Sequence, residues 1–307
     1  MKILITGSAG LIGGFIYSHL SASHSRLGID IINSETTDKL VDIKDKDCLK
    51  AILDEFKPDV VIHVAAQKDL IQCEENKAEA WCSNVNPLTD IADYLSQKAG
   101  KLIYISSDMV FDGTKGNYSE EDPTCPINWY GATKVAGELM PVIRMPEDSI
   151  SILRTAQVFG PVTEALIDYV NTKIDCDTMT NQSALPLFIK MRLSRGLPVI
   201  LPNNIFSSPT PVTLIADVVN KIIKNEAGTG LLHVAGPESY SRFELGRKIA
   251  ELLELPKDLI VDGVDATAHL RPRDLSMNIN KLEKLFDIKK TEYDILNYIK
   301  QQIQYAQ

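Results

Sequence analysis

Lys2-Ile3-Leu4-Ile5-Thr6-Gly7-Ser8-Ala9-Gly10-Leu11-Ile12-Gly13 decides the fold. A short apolar run that stops at glycine reads as a buried parallel strand entering a tight turn. Phe15, Ile16, Tyr17 and Leu20 then carry a helix out of it. Gly7 supplies the turn's backbone freedom, Gly10 lets the main chain approach a pyrophosphate, and Gly13 lets the helix pack on the strand. The helix begins with unsatisfied amides and a positive dipole end, so Ala9, Gly10, Leu11, Ile12 and Gly13 line the expected seat of a dinucleotide's phosphates.

Glycines at this spacing also build ordinary strand-to-helix turns, so the context has to carry the assignment. Leu27-Gly28-Ile29-Asp30 is a second apolar segment that ends on a carboxylate, seventeen residues after Gly13. An acidic group there accepts hydrogen bonds from the adenosine ribose and repels a 2'-phosphate. NAD, as NADH, is therefore the preferred cofactor and NADP the alternative.

The chain has 307 residues, 44% of them apolar, enough for a large core in two closely joined lobes. Its formal net charge of -9 argues against a nucleic-acid or anionic-membrane surface. The Met1 end runs directly into the first strand and no apolar run reaches bilayer-spanning length, so a soluble cytoplasmic protein is expected. Cys48, Cys73, Cys82, Cys125 and Cys176 are odd in number and show no C-x-x-C spacing, and the histidines form no ligand set. No metal is expected, and the thiols read as reduced.

Strand-like and helix-like segments alternate through the first half, the pattern of a parallel sheet covered by helices. The segments are a helix from Asp47 to Phe56, a strand Val60 to Ala66, a helix from Ala80 to Lys98 ending at Gly100, and a strand Lys101 to Ser107. The fold class is thus α/β, a Rossmann-type doubly wound parallel sheet with a smaller α/β C-terminal lobe. Residues 1–160 form the expected cofactor domain, with return segments at about 212–235. Residues 161–307 form mainly the substrate lobe, with a helix from Leu185 to Arg195 and a strand Pro198 to Leu201.

Ligands of open parallel sheets sit beyond the carboxyl ends of the strands. Ser106-Ser107-Asp108 lies at such an end, and Tyr130 and Lys134 share one face of a downstream helix. Serine, tyrosine and lysine can converge there on one carbonyl. Ser107 would hold its oxygen, Tyr130 would protonate it as hydride arrives, and Lys134 would bond the nicotinamide ribose. Bringing a phenol from about 10 to about 7 takes roughly 4 kcal/mol of phenolate stabilisation, which the Lys134 charge, together with the positive nicotinamide of the oxidised cofactor, is expected to supply.

These residues resemble an extended short-chain dehydrogenase/reductase, and most closely the dTDP-4-dehydrorhamnose reductase group. The resemblance runs through the glycine turn, Ile105-Ser106-Ser107-Asp108-Met109-Val110-Phe111-Asp112-Gly113, and Pro126-Ile127-Asn128-Trp129-Tyr130-Gly131-Ala132-Thr133-Lys134-Val135-Ala136-Gly137-Glu138. Leu153-Arg154-Thr155, Val158-Phe159-Gly160, Ser208-Pro209-Thr210 and Arg271-Pro272 extend it nearly end to end. It implies a Ser107, Tyr130 and Lys134 catalytic set, with Asp30, Asp42 and Ile43 near the adenosine. Ala65, Ala66 and Asn84 would line the cofactor cleft, Asn84 also supporting the active site, Tyr130 and Lys134 would contact the cofactor as well, and Val158 to Gly160 would close near the nicotinamide. The implied substrate is a nucleotide-linked keto sugar, held by Lys68, Ser107, Asp108, Val110, Gln157 and Arg271. Homodimers are common in this superfamily, and no stripe in the sequence marks an interface.

The substrate side departs from the pattern. Gln157 stands where the rhamnose reductases have tryptophan, Lys68 and Ile71 replace an expected threonine and aspartate, and Leu275 replaces a serine. A dehydratase or epimerase of the same superfamily is a weaker alternative, because Met109 follows Asp108 where dehydratases carry a second carboxylate. The other alternative is a non-catalytic cofactor-binding module like the regulatory subunit of methionine adenosyltransferase, which belongs to the same branch. Trp81 and Trp129 read as packing residues and His63 as a core histidine. Arg192, Arg271 and Arg273 are candidates for a diphosphate.

Overall fold

The computed structural model describes residues 1–176, 178–179, 181–224, 230–264 and 268–304. Its central sheet is parallel throughout. The strands are β1 (Lys2–Thr6), β2 (Ser25–Asp30), β3 (Lys39–Leu40), β4 (Val60–His63), β5 (Lys101–Ser107), β6 (Ile150–Thr155) and a late strand, Gly230–Val234. In space they run from Gly230–Val234 through β6, β5, β4, β1 and β2 to β3. The order reverses between β1 and β4, so the carboxyl ends of these two strands open the crevice where such sheets bind ligands.

Residue alternation decides which helices cover which face. Ile3 and Ile5 point to one side with Ile62 and Ile103, under α1 (Leu11–His19) and a later helix, Val212–Ile223. Leu4, Val61, Leu102 and Tyr104 point to the other, under α2 (Lys46–Phe56) and α5 (Asn86–Ser96). The Asp45 carboxylate caps α2 by accepting from the Asp47 and Cys48 amides. Between β4 and α5 lie α3 (Leu70–Glu75), a helix sequence periodicity missed, and α4 (Lys77–Asn84). The expected single helix from Ala80 to Lys98 is two. Val85 sits at φ −118, far from the helical value, and Pro87 in the first turn of α5 has no N–H to continue α4.

A separate apolar cluster holds the C-terminal lobe. It joins Leu185, Phe188 and Ile189 to Leu245 and Ile249 and to Tyr298, Ile299 and Ile303. The expected strand before Leu201 is Val199–Leu201, and it pairs with Ile260–Asp262 and not with the central sheet. Met277, Ile279, Leu282 and Phe286 return to the central sheet's core, beyond the return segment read from the sequence. Among the described residues no helix is long and apolar enough to cross a membrane. All five cysteines are free.

Candidate active site

The glycine turn is built as a cradle. Gly7 has φ +73, and a Cβ there would lie 2.7 Å from the Ala65 amide nitrogen, so the ends of β1 and β4 meet at glycine. A Cβ on Gly13 would collide with the Gly7 carbonyl oxygen. Gly10 is the N-cap of α1 and brings no side chain to its first-turn amides. Asp30, at the end of β2, accepts from the Ala9 amide at 3.0 Å and the Ile32 amide at 3.0 Å. The loop and the carboxylate expected for the ribose are therefore one hydrogen-bonded unit. A helix start without a side-chain cap, beside a carboxylate and a bare glycine backbone, fits the phosphates and ribose of a nicotinamide dinucleotide. Gly160 abuts the Leu11 side chain, which sets Val158 to Gly160 at the mouth of this cradle.

Asp42 is exposed, and its carboxylate accepts from the Lys44 backbone amide at 3.0 Å. Ile43 is half-buried against the β2 side of the core. Ala65 and Ala66 are half-buried at the end of β4. Asn84 differs from its expected place among cofactor contacts. It is 1% exposed, and its amide is spent within the protein. Its Oδ1 accepts from the Gln67 amide at 2.7 Å, while its Nδ2 donates to the Gln67 carbonyl and to Thr133 Oγ1, each at 2.9 Å. It ties the loop after β4 to α6 (Trp129–Val142), the helix carrying Tyr130 and Lys134.

That helix starts because Asn128 caps it, accepting from the Gly131 amide at 2.7 Å. The Asn128 Nδ2 also donates to the Leu270 carbonyl at 2.9 Å, pinning a segment 142 residues away. Bonds from Asp274 to Gly113, and from Tyr118 and Asn117 to Ser276, complete that seam and bring Arg271 to the end of β5. Sequence reading assigned Asn128 neither its capping role nor its hold on Leu270, although an asparagine directly before a helix is a local capping signal.

Ser107, Asp108, Tyr130 and Lys134 converge there. Ser107 Oγ donates to Asp108 Oδ1 at 3.0 Å and accepts from the Met109 amide at 3.2 Å. Burial drives the Asp108 carboxyl up to about 7, against the pull of the Ser107 hydroxyl and the Arg271 charge. Lys134 is 2% exposed; its Nζ donates to the Ile105 carbonyl at 2.7 Å and lies 4.3 Å from the centre of the Tyr104 ring. Burial lowers it to about 7, with Glu138 opposing.

Tyr130 corrects one expectation. Burial raises its pKa, the Ser107 hydroxyl lowers it, and the charges of Asp108 and Cys73 raise it again. Lys134, turned toward Ile105, does not make the phenol acidic in this arrangement. Behind the site, Glu138 receives Arg154 through two bonds of 2.9 and 2.7 Å and Ser106 Oγ at 2.6 Å, a buried pair joining α6 to β5 and β6.

The substrate-side residues divide. Lys68 is exposed on the loop after β4, and Arg271 is half-buried near Asp108. Gln157 is 8% exposed, and its Nε2 is buried with no hydrogen-bond partner among the described residues; Ser207 Oγ is in the same state. Val110 corrects its assignment. It is fully buried with Phe111, Tyr118 and Leu275, so its side chain supports the floor and offers no surface to a ligand. Arg192 is a structural residue, 4% exposed and bonded to the carbonyls of Ile174, Cys176 and Pro198. Trp81 and Trp129 pack together with ring centres 6.4 Å apart, and His63 is fully buried with Nδ1 2.9 Å from Thr6 Oγ1. Among the described residues no three metal-ligating side chains gather.

Comparison with known proteins matches this architecture over its whole length. The family model described as the RmlD substrate binding domain matches residues 1–303. The chain is 26% identical over 303 residues to methionine adenosyltransferase 2 subunit beta of Rattus norvegicus, covering 96% of this chain and 85% of that protein. It is 28% identical over 292 residues to a probable low-salt glycan biosynthesis reductase of Haloferax volcanii, covering 92% and 91%. Among solved structures, dTDP-4-dehydrorhamnose reductase from Bacillus anthracis in complex with NADP superposes with a TM-score of 0.80 at 22% identity, covering 100% of this chain and 99% of that one. The Bordetella bronchiseptica enzyme WbmG, in complex with NAD and UDP, superposes with a TM-score of 0.76 at 22% identity, covering 99% and 93%. The glycine cradle, the parallel sheet and the match across nearly every residue place this chain in the family of the RmlD substrate binding domain.

Proposed function

We propose that this protein is a NAD(P)-dependent reductase that converts a carbonyl of a nucleotide-linked sugar into an alcohol, with Ser107, Tyr130 and Lys134 as its catalytic set. One observation carries the reading: a hydroxyl, a phenol and a buried amine meet at the carboxyl end of β5, two strands from the glycine cradle. A pure binding module has no chemical need for that grouping.

The glycine cradle and Asp30 would hold the dinucleotide, which when bound as NADH would supply the hydride for the carbonyl carbon. Tyr130 keeps its proton at neutral pH, because burial holds its pKa up, and gives it to the oxygen as alkoxide character develops. Ser107 Oγ fixes that oxygen, and Lys134, anchored on Ile105, bonds the ribose. Asp30 binds the adenosine ribose, and the exposed Ile31 and Ile32 that follow it offer a 2'-phosphate no cation, which supports NADH over NADPH. Residues 1–160 with the return segments bind cofactor, and the lobe beyond them closes over substrate. The buried Gln157 amide is a donor suited to a sugar hydroxyl where an aromatic face would otherwise stack.

The likeness to methionine adenosyltransferase 2 subunit beta favours a second reading, a cofactor-binding regulatory subunit. A panel of nucleotide-linked 4-keto sugars with NADH or NADPH separates the two. Oxidation of NADH by any member supports the reductase; tight NADH binding without turnover on the whole panel supports the regulatory role.

A further inference from the structure

The Ser107 hydroxyl has one hydrogen, and the geometry aims it at Asp108 Oδ1 at 3.0 Å, with the Tyr130 phenol as its competing partner. Its oxygen already accepts from the Met109 amide at 3.2 Å. In this state Ser107 has no proton left for a substrate oxygen, which is the task the reaction sets it. We propose that Asp108 is a positioning residue that acts as a proton switch on Ser107. When Asp108 is ionised it takes the Ser107 hydrogen; when it is protonated it donates to Ser107 Oγ, and the serine hydrogen turns to the substrate carbonyl. The proton that Asp108 gains comes from water and returns there, and no covalent bond between heavy atoms changes.

The surroundings hold the switch near neutrality. Asp108 is 6% exposed, and burial favours its neutral form. Ser107 on its own strand and Arg271 from the segment pinned by Asn128 favour the carboxylate. From α6, Tyr130 faces Asp108 and loses its own proton more reluctantly when Asp108 is charged. Cys73 of α3 acts on Tyr130 only through its charge, and burial raises its thiol to about 11, so it stays neutral across the working range. Lys134, farther along α6, loses charge in the same window as Asp108. The arrangement sets a direction: carbonyl reduction is favoured on the acid side of neutrality.

This inference rests on the reductase reading, and its test keeps the two apart. The first readout needs no substrate. The infrared carbonyl stretch of a protonated buried carboxyl is followed against pH in wild type, Asp108→Asn and Ser107→Ala. A band that titrates near pH 7 in wild type, is absent in Asp108→Asn, and moves to higher pH in Ser107→Ala, where the serine's pull is gone, is the expected result. A band unchanged by Ser107→Ala overturns the coupling, even if Asp108→Asn fails to fold. The second readout is the pH profile of kcat/KM for reduction. The amide introduced by Asp108→Asn donates to Ser107 Oγ at every pH, so this variant should lose one proton's dependence above pH 7, about tenfold per pH unit. The dependence due to Lys134 remains in both proteins. Equal slopes in the two overturn the switch, whereas no turnover by wild type on any keto sugar defeats the reductase reading and leaves the infrared result standing.

Discussion

A phenol with a raised pKa is a poor base, yet it is a competent acid toward an alkoxide, which is far more basic than phenolate. At the residue scale this reverses the expectation that Lys134 must acidify Tyr130. In the reduction proposed above, burial would keep the proton on the phenol until the oxygen needs it. Asp30 gives the cofactor prediction at this scale. Its carboxylate faces the glycine loop through Ala9 and is followed by Ile31 and Ile32. Asp30→Ser removes the charge and keeps a hydrogen-bonding group, so the ratio of kcat/KM for NADH to that for NADPH should fall at least about tenfold, the weight of one charge contact. An unchanged ratio would remove Asp30 from cofactor choice. The glycines, Asp30 and the Tyr130–Lys134 spacing were all legible in the sequence, because each is a local pattern tied to one turn or one helix. Val110 was misassigned for the same reason: its position in a motif was visible, but the inward direction of its side chain was not.

At the scale of elements, the site depends on how α6 is held. Asn84 joins the loop after β4 to α6 through Gln67 and Thr133, and Thr133 Oγ1 in turn donates to the Tyr130 carbonyl at 2.7 Å. Asn84→Ala strands the Gln67 amide and carbonyl, so a loss of about 1–3 kcal/mol in unfolding free energy by urea titration is expected. Amide exchange at Gln67 should quicken in parallel; an unaltered midpoint and exchange rate would show that the bridge holds nothing. The neighbouring break at Val85 was the clearest failure of sequence reading in the first half. Apolar periodicity passes through Asn84, Val85 and Asn86 without a gap, and Pro87 was the local signal that two helices meet there. The pairing of Val199–Leu201 with Ile260–Asp262 was out of reach, because a strand does not carry the name of its partner.

At the scale of the whole molecule, long-range contacts bury titratable groups that no local pattern exposes. His63 lies between β1 and β5 and His233 behind Phe111, and burial lowers them to about 3 and about 4. Both values are below the ordinary 6.5, so between 6.5 and these values the unfolded chain binds more protons, and stability falls as pH falls. Asp108, raised from 3.8 to about 7, works in the opposite sense over 3.8 to 7 but is one group against two. The melting temperature should therefore drop steadily from pH 6.5 to pH 4, and His63→Asn should flatten part of that drop. A melting temperature that rises on acidification would mean that the histidines are not buried as neutral rings. The seam from Asn128 to Leu270, which delivers Arg271 to Asp108, belongs to this scale too. A motif at Arg271 was visible in the sequence, but its destination beside Asp108 was set by tertiary packing alone, through the Asn128–Leu270 bond that spans 142 residues of chain.

The most direct measurement follows deuterium from NADH labelled at the transferable C4 position into the product of a nucleotide-linked 4-keto sugar, read by mass spectrometry for wild type and Tyr130→Phe. Label should appear on the reduced carbon with wild type, and its rate of appearance should fall about 10²- to 10⁴-fold with Tyr130→Phe while NADH binding is kept. Equal labelling rates in the two proteins, or no label with wild type while NADH binds, would contradict a reductase working through Tyr130.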